Sequence, residues 1–395
     1  MIKYLFVFLW NSRKKFTGIL LEQALVFIVL MVCLTSLFDM LRQYKEPGLL
    51  DTENVALFGF MVPRQMDPAK RREVNLAMNA GIRNLRQWDY VESVSESHSL
   101  VPYLREPEYY ASDSVTLFGR KFEAHSKVAD QDAQSVFDIR MERGKWLEAL
   151  PNGSLPVVIT RQLADLTGNT DDELIGAQML DDRNQTYTIT GIVPGIKEDV
   201  FTVPSPGIIT QLVYTSDDEY RIYREICARV RPGHMEEFCD ASYREFKRLV
   251  PYFDEMEFII RDMGVFKEKA MFPVTSRLKL LVIPTLFLLT FAFIGTLGLL
   301  MLNVKKRVQE FGIHRAIGAT RRKLMGMMIL QSLILTLLAS IPGIVLSLFI
   351  FNVTFTHLAA IIATLLIMLL FSLISSYYPA HQITQINPAA VLHQE

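Results

Sequence analysis

The chain has 395 residues, half of them hydrophobic, and its 41 Lys and Arg against 42 Asp and Glu leave a formal net charge of −1. Neither a basic nor an acidic bias over the whole chain points to nucleic acid, and no nucleic-acid partner is expected. The distribution of apolar residues and charges along the chain is more informative than either total.

Residues 2–17 carry Lys3, Arg13, Lys14 and Lys15 with no acid. The apolar "YLFVFLW" after Lys3 resembles the start of a signal peptide. The cations interrupt it, however, the next run is too long for an h-region, and no small-residue cleavage site follows. A retained anchor is therefore expected over residues 18–38. That run and three others, at 278–302, 324–351 and 358–378, are each long enough to cross a hydrocarbon core of roughly 30 Å, which takes about 20 helical residues. Four such runs predict an integral membrane protein with membrane lipids as its surroundings.

Residues 40–276 hold 28 Lys and Arg against 38 Asp and Glu. The short flanks are basic instead: between 303 and 323 stand Lys305, Lys306, Arg307, Arg315, Arg321, Arg322 and Lys323 against Glu310 alone. Short basic segments stay cytoplasmic, so residues 39–277 are expected outside. The expected topology has both termini cytoplasmic, an external loop at 352–357 and a cytoplasmic tail at 379–395. The fold class is an α-helical membrane protein of four spans with an α+β domain between the first and second.

Within that domain "VALFGFMV" and "SVTLFG" suit strands, "DPAKRREVNLAMNAGIRNLRQW" suits a helix, and "TYTITGIV" alternates with period two. "EICARVR" reads as a strand and "HMEEFCDASYREFKRLV" as a helix after the turn at Pro232 and Gly233. Cys227 shares its strand face with Glu225 and Arg229. Ile226, Ala228 and Val230 form the opposite, apolar face, on which the helix carrying Cys239 should pack. The two thiols are thus expected to point apart, although an external compartment would let a disulfide persist. Cys33 is expected to pack within the membrane.

No H-E-x-x-H, Cys-x-x-Cys, G-x-S-x-G or Gly-rich phosphate loop is present, and the seven histidines are scattered, so no catalytic, cofactor or metal residues are expected. "DDE" at 171–173 and at 217–219 reads as solvated turns rather than calcium or acid–base sites. The missing G-x-x-x-x-G-K-[ST] motif means that this chain does not hydrolyse ATP by a P-loop mechanism. Polar groups inside the spans are few: Glu22 and Gln23 in the first, Gln331 and Ser332 in the third. Helix packing is their expected role, with a substrate route the alternative. Pro342 and Gly343 interrupt the third span and should kink it.

Past the second span, Val304, Val308 and Phe311 continue a helical stripe while Lys305, Lys306, Arg307 and Glu310 face water. Gly312 and Gly318 allow tight bends. A short amphipathic helix lying against something is expected there.

"QEFGIHRAIGATRRKLM" resembles the cytoplasmic signature of FtsX/MacB-like ABC permeases, through Glu310, Gly312, Arg315, Ala316, Gly318 and Ala319. The C-terminal "YPAHQITQINPAAVLHQE" is similar to the family's closing pattern through Pro379, Ala380, Pro388, Ala389 and Leu392. "MERGKWL" and the segment from "VVITRQLADL" to "TITGIVPGIKED" resemble a MacB-type periplasmic domain. Two departures are Gln331, where many members carry Glu, and His381 with Gln382 in place of a more basic pair.

The resemblance implies a permease in the inner membrane that dimerises, with a copy or a paralogue, around cytoplasmic ABC ATPase subunits. Those subunits would bind the ATP and Mg and grip a coupling helix in the 303–323 loop. Residues 1–17 would form an elbow helix along the inner leaflet. The relayed motion would drive export or efflux by mechanotransmission, alone or with a periplasmic adaptor and an outer-membrane channel. A membrane-anchored sensor whose head binds a ligand without ATP coupling is the alternative, and a membrane-embedded enzyme using head carboxylates is a third.

Overall fold

The computed structural model describes residues 13–384 apart from 64, 105–111, 152, 214–223, 307–310, 312 and 314–316. The chain divides into two compact units, residues 1–42 with 275–395 and residues 43–274. Among the described residues four helices are long and apolar enough to cross a membrane, and an α+β domain is inserted after the first. That first helix, α1, is Arg13–Lys45. The part of the expected elbow before it lies outside the described residues.

The inserted domain, or head, begins with β1 (Val55–Met61), α2 (Pro68–Leu85) and β2 (Val91–His98). Then follow β3 (Ser112–Leu117), β4 (Arg120–Ala129), α3 (Ala133–Val136), β5 (Arg143–Gly144), β6 (Leu155–Thr160), α4 (Arg161–Thr167), α5 (Asp171–Leu174), β7 (Gln178–Leu180), β8 (Thr186–Val193) and β9 (Gly207–Gln211). The head closes with β10 (Glu225–Val230), α6 (Met235–Leu249) and β11 (Glu257–Asp262). Two lobes result. Strands run β11-β1-β10-β2, all antiparallel, with one helix from each β-α-β unit, which is the ferredoxin-like order. Inserted between the units, β4-β3-β7-β8-β6-β9 closes on itself through the parallel pairing of β9 with β4, so this lobe is a small barrel.

Local chemistry explains the elements. Strand β1 is buried on both faces: Ala56, Phe58 and Phe60 join the core under the helices, while Val55 and Leu57 join the core on the sheet's other side. That is why its sequence is almost continuously apolar. Helix α2 starts where Asp67 accepts a hydrogen bond from Ala69 N at 2.8 Å and Pro68 occupies the first turn. It buries Val74, Met78, Ile82 and Leu85, one helical face. Helix α6 has Glu236 and Glu237 in its first turn and Lys247 and Arg248 in its last, which suits the helix dipole at both ends. Its Phe238 and Phe246 are buried, and Gly81 of α2 lies so close that a Cβ there would meet the Phe246 ring. The β3–β4 hairpin turns through Phe118 (φ 49°) and Gly119 (φ 75°), a pair of positive angles that matches strand twist.

The remaining helices are α7 (Met263–Lys306), α8 (Arg321–Ile350) and α9 (Phe355–Thr384). At 44 residues α7 extends roughly 66 Å, about twice the hydrocarbon core. It starts at Met263 rather than 278, just after Asp262, whose carboxylate accepts from Gly264 N at 2.8 Å. The first turns are helical but too polar to register as a span. Val26, Phe27, Leu30 and Met31 of α1 pack with Ala292 of α7 and with Ile361 and Met368 of α9.

Candidate functional site

Phe311 anchors the loop between α7 and α8. It is 1% exposed and packs with Val304 of α7, Leu324 and Met328 of α8 and Ala380 of α9, with Ala319 alongside. The stripe expected through Val304 and Phe311 therefore faces inward, onto the bundle. Ile313 and Ile317 point the other way: they sit one turn apart, joined by Ile317 N donating to Ile313 O at 3.0 Å, and Ile317 is 79% exposed. Gly318 then takes φ 98°, with no atom within 4 Å of where a Cβ would sit. Here the glycine supplies a left-handed turn rather than room. Two residues on, Thr320 caps α8, its hydroxyl accepting from Lys323 N at 3.3 Å. Arg321, Arg322 and Lys323 are exposed beside it. Val308, Glu310, Gly312, Arg315 and Ala316 lie outside the described residues, as do Pro388, Ala389 and Leu392 of the tail.

The two exposed isoleucines were not among the expected coupling residues. Their signal is the i, i+4 spacing within "GIHRAIG", a weak one among the charges around it.

Two of the polar residues inside the spans, Gln23 and Ser332, link helices. Gln23 of α1 is buried, and its side-chain oxygen accepts from Thr336 of α8 at 3.1 Å. Ser332 of α8 meets Ser372 of α9 at 2.7 Å, and Gln331 is buried in the same helix. Glu22 lies over Gly295 of α7, where a Cβ would stand 2.6 Å from the carboxylate oxygen. Helix α8 continues through Pro342, and Gly343 lies beneath the Phe27 ring and Ile28 of α1. Near the ends of α1 and α9, Thr356 donates to Asp39 at 2.7 Å.

In the head, the acids at 171–173 are used structurally. Arg161 donates to both oxygens of Asp171, at 2.6 and 2.9 Å, and to Glu142 at 2.6 Å. The Arg161 hydrogen bonds hold the Asp171 carboxyl below its ordinary range. Asp172 accepts from Arg143 at 2.7 Å, and Glu173 completes a capping box with Thr170. The solvated turn expected at 171–173 is thus a helix start tied to two arginines. The acids at 217–219 lie outside the described residues. Among the described residues no group of His, Cys, Asp or Glu has the arrangement of a metal site. Cys227 belongs to the core on one side of β10 and Cys239 to the helix on the other, and both thiols are free. Burial raises both thiol pKa values.

Residues 282–388 match the model of the FtsX-like permease C-terminal family. The macrolide export ATP-binding/permease protein MacB of Mannheimia succiniciproducens is 30% identical over 131 residues, 31% of this chain and 20% of that protein. MacB of Campylobacter jejuni is 27% identical over 111 residues, 26% of this chain and 17% of that protein. The matched stretch thus spans about a fifth of the length of these curated relatives. Among solved structures, a domain of a permease protein from Porphyromonas gingivalis aligns with 53% of this chain and 91% of its own, at 13% identity and a TM-score of 0.38. The periplasmic region of MacB from Actinobacillus actinomycetemcomitans aligns with 55% and 92%, at 12% identity and 0.37.

Proposed function

We propose that this FtsX/MacB-like permease is the membrane-spanning subunit of an ABC transporter, relaying the ATP-driven motion of a separate cytoplasmic ATPase to its extracytoplasmic head. The observation that carries this reading is the loop between α7 and α8. Phe311 locks it to the ends of three helices, while Ile313 and Ile317 stand out in a basic surround. An apolar knob on a rigid base is what a partner needs in order to push a bundle. Gln23 with Thr336 and Ser332 with Ser372 spend their polar groups on links between helices, which favours transmission of movement over conduction of a hydrophilic solute. ATP and Mg would be held by the partner, and two permeases, identical or paralogous, would flank the ATPase pair in the inner membrane with their termini cytoplasmic. The head would then work on its substrate outside that membrane, extruding it from the periplasm or outer leaflet.

The test is purification of the full chain with and without the ATPase that copurifies with it. The chain alone should show no ATP turnover, and the complex should. Ile317→Arg and Gly318→Leu should each lower the complex's turnover at least fivefold while insertion stays normal. Undiminished turnover in both variants would remove this loop as the grip.

A further inference from the structure

One side chain in the head holds the end of α1 to the segment after β8. Lys197 is 1% exposed, and its ammonium donates to the backbone carbonyls of Gln43 at 2.7 Å, Val200 at 2.8 Å and Glu46 at 3.4 Å. Gln43 and Glu46 lie in the last turn of α1 and just beyond it. Helix-end carbonyls lack intrahelical donors there and the dipole is negative, so a cation is favoured. The backbone adds to the joint, with Lys197 N donating to Gly48 O at 2.8 Å. Gly48 (φ 102°) and Gly195 (φ 143°) approach so closely that a Cβ on Gly48 would stand 2.7 Å from the Gly195 carbonyl carbon. Tyr44 and Phe201 bring their rings to 6.2 Å on either side of the same joint. Burial lowers the Lys197 pKa, while the nearby carboxylates of Glu46 and Asp199 oppose that shift.

The chain runs from α1 into β1, which belongs to the ferredoxin-like lobe. The ammonium ties the same helix end to the loop that follows β8, in the barrel. A buried ammonium is an expensive choice for stability alone, since apolar replacements of buried ionic groups are often neutral or stabilising. What an apolar side chain lacks is the ability to bind three carbonyls drawn from two segments.

We propose that Lys197 is a positioning residue for the relay: it fixes the end of the first span's helix to the barrel lobe, so that displacement of that helix reaches both lobes together. The inference rests on the relay proposed above, but the joint itself can be measured without any ATPase. In the full chain in lipid nanodiscs, spin labels at Lys45→Cys and Leu166→Cys, with Cys239→Ser, should give a narrow distance distribution. Lys197→Met should broaden it at least twofold, and Lys197→Arg, which keeps a cation at the carbonyls, should leave it narrow. An unchanged width in Lys197→Met overturns the joint. Should that variant fail to fold, broadening in Lys197→Arg overturns it equally.

In the complex with the copurifying ATPase, Lys197→Met should keep ATP turnover within twofold of wild type. ATP-dependent changes in hydrogen exchange at the β6 and β8 amides should disappear. If the wild-type complex shows no such changes, the relay fails while the joint stands or falls on the label widths.

Discussion

The head and the membrane unit bury polar groups in different ways. In the head they include ionisable side chains held by hydrogen bonds. Glu225 accepts from Ser97 Oγ at 2.9 Å, Leu100 N at 3.0 Å and Val101 N at 3.2 Å; Lys127 donates to Ser99 O at 2.7 Å; Arg224 pairs with Glu96 and Asn79. In the membrane unit the links inside the spans, Gln23 with Thr336 and Ser332 with Ser372, are single hydrogen bonds between neutral groups, and a carboxylate takes part near the ends of α1 and α9, where Thr356 donates to Asp39. A buried carboxyl oxygen held by three donors, as Glu225 Oε2 is, has few acceptable arrangements, because most others leave it underbonded. A hydroxyl pair between spans contributes only about 0.6 kcal/mol and is readily exchanged for another. The contrast teaches where rigidity and compliance lie: the head is built to keep its shape, and the bundle to shift at low cost.

The strongest way to break that contrast is to loosen the head. Phe246 is fully buried, sits against Gly81, and meets the rings of Phe58 at 5.6 Å and Phe258 at 5.1 Å. Phe246→Ala should cost about 3–5 kcal/mol, the range for a large aromatic lost from a packed core. Urea unfolding of the full chain followed by tryptophan fluorescence would measure it. A loss below about 1 kcal/mol would show that the head core is not tightly packed.

A second prediction concerns pH. Asp130 accepts from Glu96 N at 2.8 Å and Ala133 N at 3.0 Å, yet burial, reinforced by the charges of Asp132 and Glu96, pushes its pKa up to about 7. A carboxyl raised in the folded state binds its proton more tightly there than in the unfolded chain. Its contribution to stability is therefore full below the unfolded value near 4 and is lost as pH rises through about 7. Between those limits the Asp130 contribution should fall with rising pH by at most about 1.4 kcal/mol per unit, the slope for one proton. Asp130→Asn should flatten that part of the profile. An identical slope in the variant would assign the proton to another group.

Much of this organisation is legible in the residues themselves. The four apolar runs mark the spans, Asp67 followed by Pro68 marks the start of α2, and the unbroken apolar run of β1 marks a strand buried on both faces. What is not legible depends on chain segments far apart in sequence. Closure of the barrel pairs 125–129 with 207–211 in parallel, and no local pattern announces it. Lys197 looks like any cation in a polar loop until the carbonyls of Gln43 and Glu46, about 150 residues away, arrive beside it. At the candidate site, Phe311 was visible as part of an apolar stripe. Ile313 and Ile317 were masked by the charges around them, because only the packed loop reveals which face of it is already covered.

The smallest effect tests the compliant side of the comparison. The single hydroxyl proton of Thr336 is shared between two acceptors, the Gln23 side-chain oxygen across α1 and α8 and Ser332 O within its own helix, each at 3.1 Å. Thr336→Val keeps the shape and removes both bonds. In water-soluble cores, leaving a buried amide oxygen without its donor costs about 1–3 kcal/mol. Within spans the Gln23 amide can find another hydroxyl or backbone partner, so the expected loss is only about 0.6 kcal/mol. Reversible unfolding of the full chain in mixed micelles, probed by a reporter on α8, would distinguish the two. A loss above about 2 kcal/mol would mean that the bundle is pinned at this contact as firmly as the head. A relay through α1 would then have to move α8 with it.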